Sequence, residues 1–506
     1  MANSEKRRPR WRNNLFFFVP CLTAALLVRS AFFGTVTLAD DVNYWMQSIA
    51  TGLDNAWPPE KTHWHTRIGF VFPCILLIKF FGLNVWVPYL FPLLGSLLDI
   101  VFTYFIARQF TSEKAARLAT WLAVFFPLNI LYSSFLLLDL WSGLLGALSL
   151  WFWYRALQTD RAREYAMSAI FFGLGWLVRE TVIMALPVYL AFWWQAGRWR
   201  RFKMLWAIPF GLIFLVGEMA LYQITIHNWH YRFDAILNAK TQMLEDVAND
   251  RGFLLTPIFQ LFASHELGLF LVAGLAVAVL NYQRLPKALV LWLVIGFVWF
   301  SWGTTTPAGW IPMQRDPRYL SILTIPCLTL LAIWLVSLRS GFWRVTIIAT
   351  LITSGLLCAS LDIGRVKIAA HRQFVSSEYN TSRTTAEPFV YFGIRAAQNF
   401  SKDKVKISYA NDLGRTSAAK LMPHLPGAQL LACPEARYAV FSAQTQPEKW
   451  ENKIKEGWLK VAEIPGDNIF LREQVVVLVG KLRGRSSEQS KPGLIILENP
   501  TWRPAK

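Results

Sequence analysis

Apolar runs recur along the first two thirds of the chain, separated by short polar breaks. A membrane-spanning helix needs about 20 mostly apolar residues to cross a hydrocarbon core ~30 Å thick. The runs at 15–37, 86–107, 115–134, 139–157, 165–179, 182–196, 204–226, 267–283, 288–303, 318–338 and 343–361 predict eleven spans. A further run at 68–83 is shorter and carries Lys79. It reads as an interfacial or re-entrant helix inside a long first outer loop, 38–85.

Past residue 361 the pattern changes. Short β-like runs at 405–409, 438–441 and 475–479 alternate with helical spacing at 386–400 and 448–456. The expected fold is therefore an α-helical polytopic membrane protein of about eleven spans, 15–361, joined to a small α/β domain, 362–506.

Composition agrees with this division. The chain is 54% hydrophobic and 16% charged, against about 25% charged in a soluble protein. The apolar content excludes a disordered chain, and the length excludes a small disulfide scaffold. Of the 24 Trp, 21 precede residue 362, where interfacial aromatic belts would use them. Cys433 is the only cysteine after residue 361, so the second domain can hold no internal disulfide.

The net charge of +19 is an orientation signal. Nucleic-acid binding would need the cations on one soluble face. Here they fall between apolar runs: Arg108, Lys114 and Arg117; Arg155, Arg161 and Arg163; Arg198, Arg200, Arg201 and Lys203; Arg284 and Lys287; Arg339 and Arg344. With the basic N-terminus, 1–14, in the cytoplasm, every inner loop is basic. An odd number of spans then places 362–506 outside. The expected location is a bacterial plasma (inner) membrane, with a retained first helix and no nucleic-acid partner.

The first outer loop carries the candidate chemistry. Asp40 and Asp41 emerge together from the first span, followed by Tyr44, and His63, His65 and Arg67 lie farther along. An acidic pair can be a plain solvated helix cap. Carboxylates facing an Arg/His cluster at a membrane surface also suit a phosphate-bearing lipid and an acid/base step. Asp139, Arg179 with Glu180, and Asp316 with Arg318 and Tyr319 lie at other outer span ends, so these groups converge on one leaflet.

Arg29, Asp99 and Glu218 fall within spans, where ionisable residues are costly unless paired. Arg29 and Asp99 are placed at similar depths and are expected to pair structurally. Glu218, near an outer end, is expected to reach the interface. His63 and His65 lack the companions of a metal motif, and no inner loop carries a nucleotide-binding fingerprint. A divalent cation is possible, but no cofactor is required.

These features together resemble the integral-membrane glycosyltransferases of the C-type fold, especially the protein O-mannosyltransferases and the lipid A aminoarabinose transferase. The resemblance runs over roughly 15–340. It rests on Asp40, Asp41 and Tyr44 after the first span and on the Arg67-to-Gly82 helix. It continues through Phe126-Pro127 before Asp139, the Gly173-to-Glu180 segment, and Arg318-Tyr319 with Pro326. The relatives have Asp-Glu where this chain has Asp40-Asp41, and Pro58-Pro59-Glu60-Lys61 departs from the aminoarabinose transferase order.

The resemblance implies transfer of a sugar from a polyprenyl-phosphate donor to a lipid, glycan or protein hydroxyl outside the cytoplasm, with inversion. It implies Asp40 as the base, with Asp41 and Asp139 as its catalytic companions and Asp139 orienting the acceptor or the base. Arg67 and Arg318 would stabilise the leaving phosphate. Tyr44, His63, His65, Arg179 and Tyr319 complete the expected substrate-binding set. The alternatives are a secondary transporter or lipid flippase, and a membrane scaffold. The transporter reading wants broken midplane helices and two related halves. The scaffold reading leaves the acidic pair without a role.

Overall fold

A computed structural model describes residues 11–32, 44, 66–81, 87, 89–196, 203–236, 255–264, 266–303, 316–375, 405–409, 428–430, 438–442, 447–465 and 492–498. Asp40, Asp41, His63 and His65 lie outside these residues, as do the runs 386–400 and 475–479.

Each of the eleven long apolar runs falls on a helix. These are α1 (Trp11–Ala31), α3 (Leu90–Phe110), α4 (Glu113–Val124) with α5 (Pro127–Tyr132), α6 (Asp139–Thr159), α7 (Ala162–Val178), α8 (Leu186–Gln195), α9 (Ala207–Ile226), α11 (Phe270–Leu280), α12 (Lys287–Trp302), α13 (Thr324–Ser337) and α14 (Gly341–Val375). Among the described residues, α2 (Ile68–Phe81) and α10 (Thr256–Ala263) also lie outside those runs. Four helical stretches among the described residues are long and apolar enough to cross a membrane: 90–110, 204–226, 317–337 and 341–360.

The run 115–134 is interrupted. Pro127 has no N–H to give α4 and holds Phe126 extended, at φ −70° and ψ 120°, so the chain restarts as α5. The short run gives α2, with Phe70, Val71, Cys74, Ile75 and Ile78 buried and Phe72, Phe80 and Phe81 exposed. Its 14 residues reach about 21 Å at 1.5 Å each, short of a full crossing.

Helix α6 lies at the centre. It packs against α7, α3 and the 3₁₀ turn Pro317–Leu323, and is buried almost from end to end. Helix α9 is its opposite. Its buried residues are only Glu218 and Tyr222, while Ile208, Leu212, Ile213, Val216 and Ile224 are exposed. An apolar outside with a polar inner stripe is the arrangement lipid imposes.

The expected Arg29–Asp99 pair is not formed directly. Arg29 Nε donates to Ser96 Oγ at 2.6 Å, and an Nη donates to the Val124 carbonyl at 3.2 Å. Asp99 accepts instead from Asn129 Nδ2 at 2.7 Å, and Ser96 Oγ donates to the Asn129 carbonyl at 3.2 Å. Ser96 lies about one turn before Asp99 on α3 and intercepts the guanidinium. Two neutral side chains therefore join α1, α3 and α5, and matching depth alone did not define the contact.

Helix α14 has 35 residues and runs unbroken past residue 361. At about 1.5 Å per residue it measures ~52 Å, well over the hydrocarbon thickness. Beyond it, β1 (Val405–Tyr409), β2 (Ala428–Leu430), β3 (Tyr438–Ser442), β4 (Leu459–Pro465) and β5 (Pro492–Glu498) form a sheet, with α15 (Pro447–Lys455) preceding β4. The strand order is β2-β1-β3-β5-β4. Pairs β1–β2 and β1–β3 are parallel, and β3–β5 and β4–β5 are antiparallel.

Candidate active site

The site grows from the segment where α7 ends. Arg179 caps α7 in an extended conformation, φ −159° and ψ 136°. Glu180 then opens the 3₁₀ turn Glu180–Ala185. The side chains of Arg179 and Glu180 enter two adjoining polar clusters.

The first cluster surrounds Asp139, in the first turn of α6. Asp139 is 1% exposed and is ion-paired with Arg179 Nη1. Arg318 Nε stands 3.8 Å from its other oxygen. Arg179 Nη2 donates to the Tyr319 hydroxyl at 2.8 Å, and its guanidinium lies 4.3 Å from the Tyr319 ring centroid. A carboxylate at a helix N-terminus is also favoured by the helix dipole.

Asp316 brings in the third side of this cluster. It caps the 3₁₀ turn Pro317–Leu323, its side chain accepting from the Arg318 N–H at 3.1 Å. Pro317 in the first turn fixes φ without losing a needed donor. The Asp316 carboxylate also meets Arg318 Nε at 2.8 Å. Burial pushes the Asp316 carboxyl up from its ordinary range, against the pull of Arg318 and with a further push from Asp139. Ser321 Oγ donates to the Asp139 carbonyl at 2.8 Å and locks the turn to α6. Gly143 permits this approach, because a Cβ there would stand 2.9 Å from the Ser321 carbonyl carbon.

The second cluster surrounds Glu180. Arg67, just before α2, donates to the Tyr44 hydroxyl and pairs with Glu180 Oε1 at 3.4 Å. Arg232 stands 3.6 Å from Glu180 Oε2 and 2.5 Å from Glu218 Oε1. Burial raises the Glu180 carboxyl, but Arg67, Arg232 and Arg179 outweigh it and hold the group well below the usual carboxylate range. Near the first cluster, Tyr132 donates to Glu266 at 2.9 Å.

Two cavities open beside Tyr319. One is lined by Asp139, Ser142, Thr181, Phe300, Tyr319 and Ser321, among others. The other has more apolar walls, with Leu261, Leu267, Phe297 and Phe300 beside Asp316 and Tyr319. Among the described residues no group of three or more His, Cys, Asp or Glu could hold a metal ion.

Of the candidate residues, Asp139, Arg179, Arg318 and Tyr319 meet in the first cluster, and Tyr44 and Arg67 in the second. Asp40, Asp41, His63 and His65 lie outside the described residues. Arg29 and Asp99 belong to the separate α1–α3–α5 contact. Sequence reasoning missed Arg232 and Glu266, and it sent Glu218 to the interface where the structure buries it. The signal for Arg232 was available: a carboxylate inside a span needs a cation, and Arg232 follows the end of α9 by six residues.

Residues 70–221 match the family described as dolichyl-phosphate-mannose-protein mannosyltransferase. No curated protein matches the chain in sequence. Among solved structures, the chain is similar to ArnT of Cupriavidus metallidurans bound to undecaprenyl phosphate, at 12% identity and a TM-score of 0.52, covering 97% of this chain and 99% of that one. The apo form of that protein matches at 13% identity and a TM-score of 0.49, covering 97% of this chain and 100% of that one. The oligosaccharyltransferase of Archaeoglobus fulgidus, tethered with an acceptor peptide, matches at 12% identity and a TM-score of 0.46, covering 87% of this chain and 71% of that one. The chain thus shares the multi-pass helical fold of ArnT, and it resembles the integral-membrane glycosyltransferases of the C-type fold.

Proposed function

We propose that the protein transfers a sugar from a polyprenyl-phosphate donor to an acceptor hydroxyl at the extracytoplasmic face of the plasma membrane, with inversion. The observation that carries this reading is the concentration of Arg67, Arg179, Arg232 and Arg318 around Asp139, Glu180 and Glu218, at helix ends assigned to one leaflet. Such a site offers guanidinium groups to a phosphate and carboxylates to hold them in place. The match to a mannosyltransferase family and the shared fold with ArnT support the same class.

In this reading Asp40 accepts the proton of the acceptor hydroxyl. The acceptor oxygen bonds to the anomeric carbon as the carbon–oxygen bond to phosphate breaks, and the electron pair leaves on the phosphate. Arg67 and Arg318 stabilise the charge growing there. Asp139 fixes Arg179 and Arg318 rather than reacting, because its carboxylate is already engaged by them. The acceptor is a lipid, glycan or protein hydroxyl.

The test is Asp40→Asn in the full chain, reconstituted with lipid extracts containing labelled lipid-linked sugars. Loss of a general base lowers the rate by about 10²–10⁴-fold, so one labelled sugar lipid consumed by the wild type should persist. Wild-type turnover by the variant removes Asp40 as the base.

A further inference from the structure

Helix α9 faces outward with apolar side chains, yet it turns two polar ones inward, Glu218 and Tyr222. They lie four residues apart and so share one face. Tyr222 leads to the start of α2, and Glu218 leads to Arg232. Tyr222 donates its hydroxyl to the Thr66 carbonyl at 3.0 Å, the residue before Arg67. Glu218 Oε1 accepts from Arg232 at 2.5 Å, and its Oε2 accepts from Trp176 Nε1 at 2.7 Å.

Arg232 is held on several sides. Besides Glu218, it donates to the Trp176 carbonyl at 2.6 Å, and its guanidinium lies 4.5 Å from the Trp176 ring centroid. Its remaining reach goes to Glu180. That carboxylate stands 3.4 Å from Arg67 and 3.6 Å from Arg232. A closed charge-assisted pair has a separation of about 2.7–2.9 Å. Glu180 is thus suspended between two guanidinium groups and closes onto neither.

We propose that Arg232, anchored by Glu218 and Trp176, is a positioning residue for Arg67: it shares Glu180, and so keeps that carboxylate from closing onto the Arg67 guanidinium and displacing a phosphate. Tyr222, through Thr66, fixes the backbone from which Arg67 projects. The inference deepens the proposed function, since it rests on Arg67 meeting the phosphate of the lipid carrier. Without Arg232, Glu180 would have Arg67 as its nearest remaining cation in this cluster. A closed Arg67–Glu180 pair would then compete with the phosphate.

The experiment measures undecaprenyl phosphate and undecaprenol binding to the full chain in detergent, with melting curves for every variant. Arg232→Gln should weaken undecaprenyl phosphate binding by about tenfold, which is about 1.4 kcal/mol. Undecaprenol, which has no phosphate, should be unaffected. The pair Glu218→Gln with Arg232→Gln removes both buried charges together and should show the same loss with wild-type melting. Arg232→Lys keeps a cation near Glu180 and should recover part of the affinity.

Wild-type affinity in the folded double variant, with affinity lost in Arg67→Gln, overturns the role of Arg232 and leaves the phosphate reading intact. Wild-type affinity in Arg67→Gln overturns that reading, and this inference with it. Failure of both Arg232→Lys and the double variant to fold assigns Arg232 a purely structural role and also overturns the proposal.

Discussion

Asp316 shows how one carboxylate can serve as a cap, an ion-pair partner and a cavity wall at once. Its burial raises its titration above the ordinary value near 3.9. The sign of the consequence follows from linkage. A carboxyl whose folded pKa is raised contributes stability below its unfolded pKa, and that contribution is lost as pH rises through the folded value. Asp316→Asn keeps the capping oxygen and removes the charge. It should therefore melt above the wild type near pH 8, with the difference shrinking as pH falls toward 4. A difference that widens on acidification would contradict the assignment. Glu180 has the reverse sign: its contribution is complete above the ordinary carboxylate range and is lost as pH falls from there toward its depressed value.

The residue types at the site were legible in the sequence to different degrees. Asp139, Arg179, Arg318 and Tyr319 stand at ends of apolar runs, so a count of runs locates them. Arg232 and Glu266 lie between runs 204–226 and 267–283, where hydropathy assigns no partner. The Arg29–Asp99 expectation matched two depths and missed Ser96 and Asn129. Depth follows from counting residues, whereas contact also depends on rotation about each helix axis.

At the scale of elements, two helical glycines, Gly143 of α6 and Gly217 of α9, have opposite surroundings. A Cβ on Gly143 would press on Ser321, whereas one on Gly217 meets nothing within 4 Å. Gly143→Ala should destabilise the protein by about 1–3 kcal/mol through overpacking, and it should reduce transfer by shifting Tyr319. Gly217→Ala should stabilise it by about 0.5–1 kcal/mol, the usual gain from replacing a helical glycine. Thermal unfolding in detergent with a parallel transfer assay checks both. Equal effects at the two positions would refute the packing described between α6 and Pro317–Leu323. The helices themselves were legible because apolar length survives any environment. The break at Phe126–Pro127 and the 3₁₀ start at Pro317 follow from proline, which the apolar count ignored.

At the scale of the whole molecule, orientation and fold come from different sources. The basic loops orient the chain by their charge, which the membrane reads regardless of packing. With Cys433 replaced by Ser, a cysteine at position 409 should react with an impermeant reagent added outside intact cells, and one at 161 should not. The reverse pattern would invert the topology and move the proposed site to the cytoplasmic face. Sequence alone determined that the chain is a basic, multi-helix membrane protein, because hydrocarbon and charge act on composition and order. Only the tertiary structure decided that α6 is central, that α9 faces outward, and that Arg179 and Glu180 serve separate clusters. Those facts depend on how helices rotate and cross, which is set by close packing between residues distant in the chain.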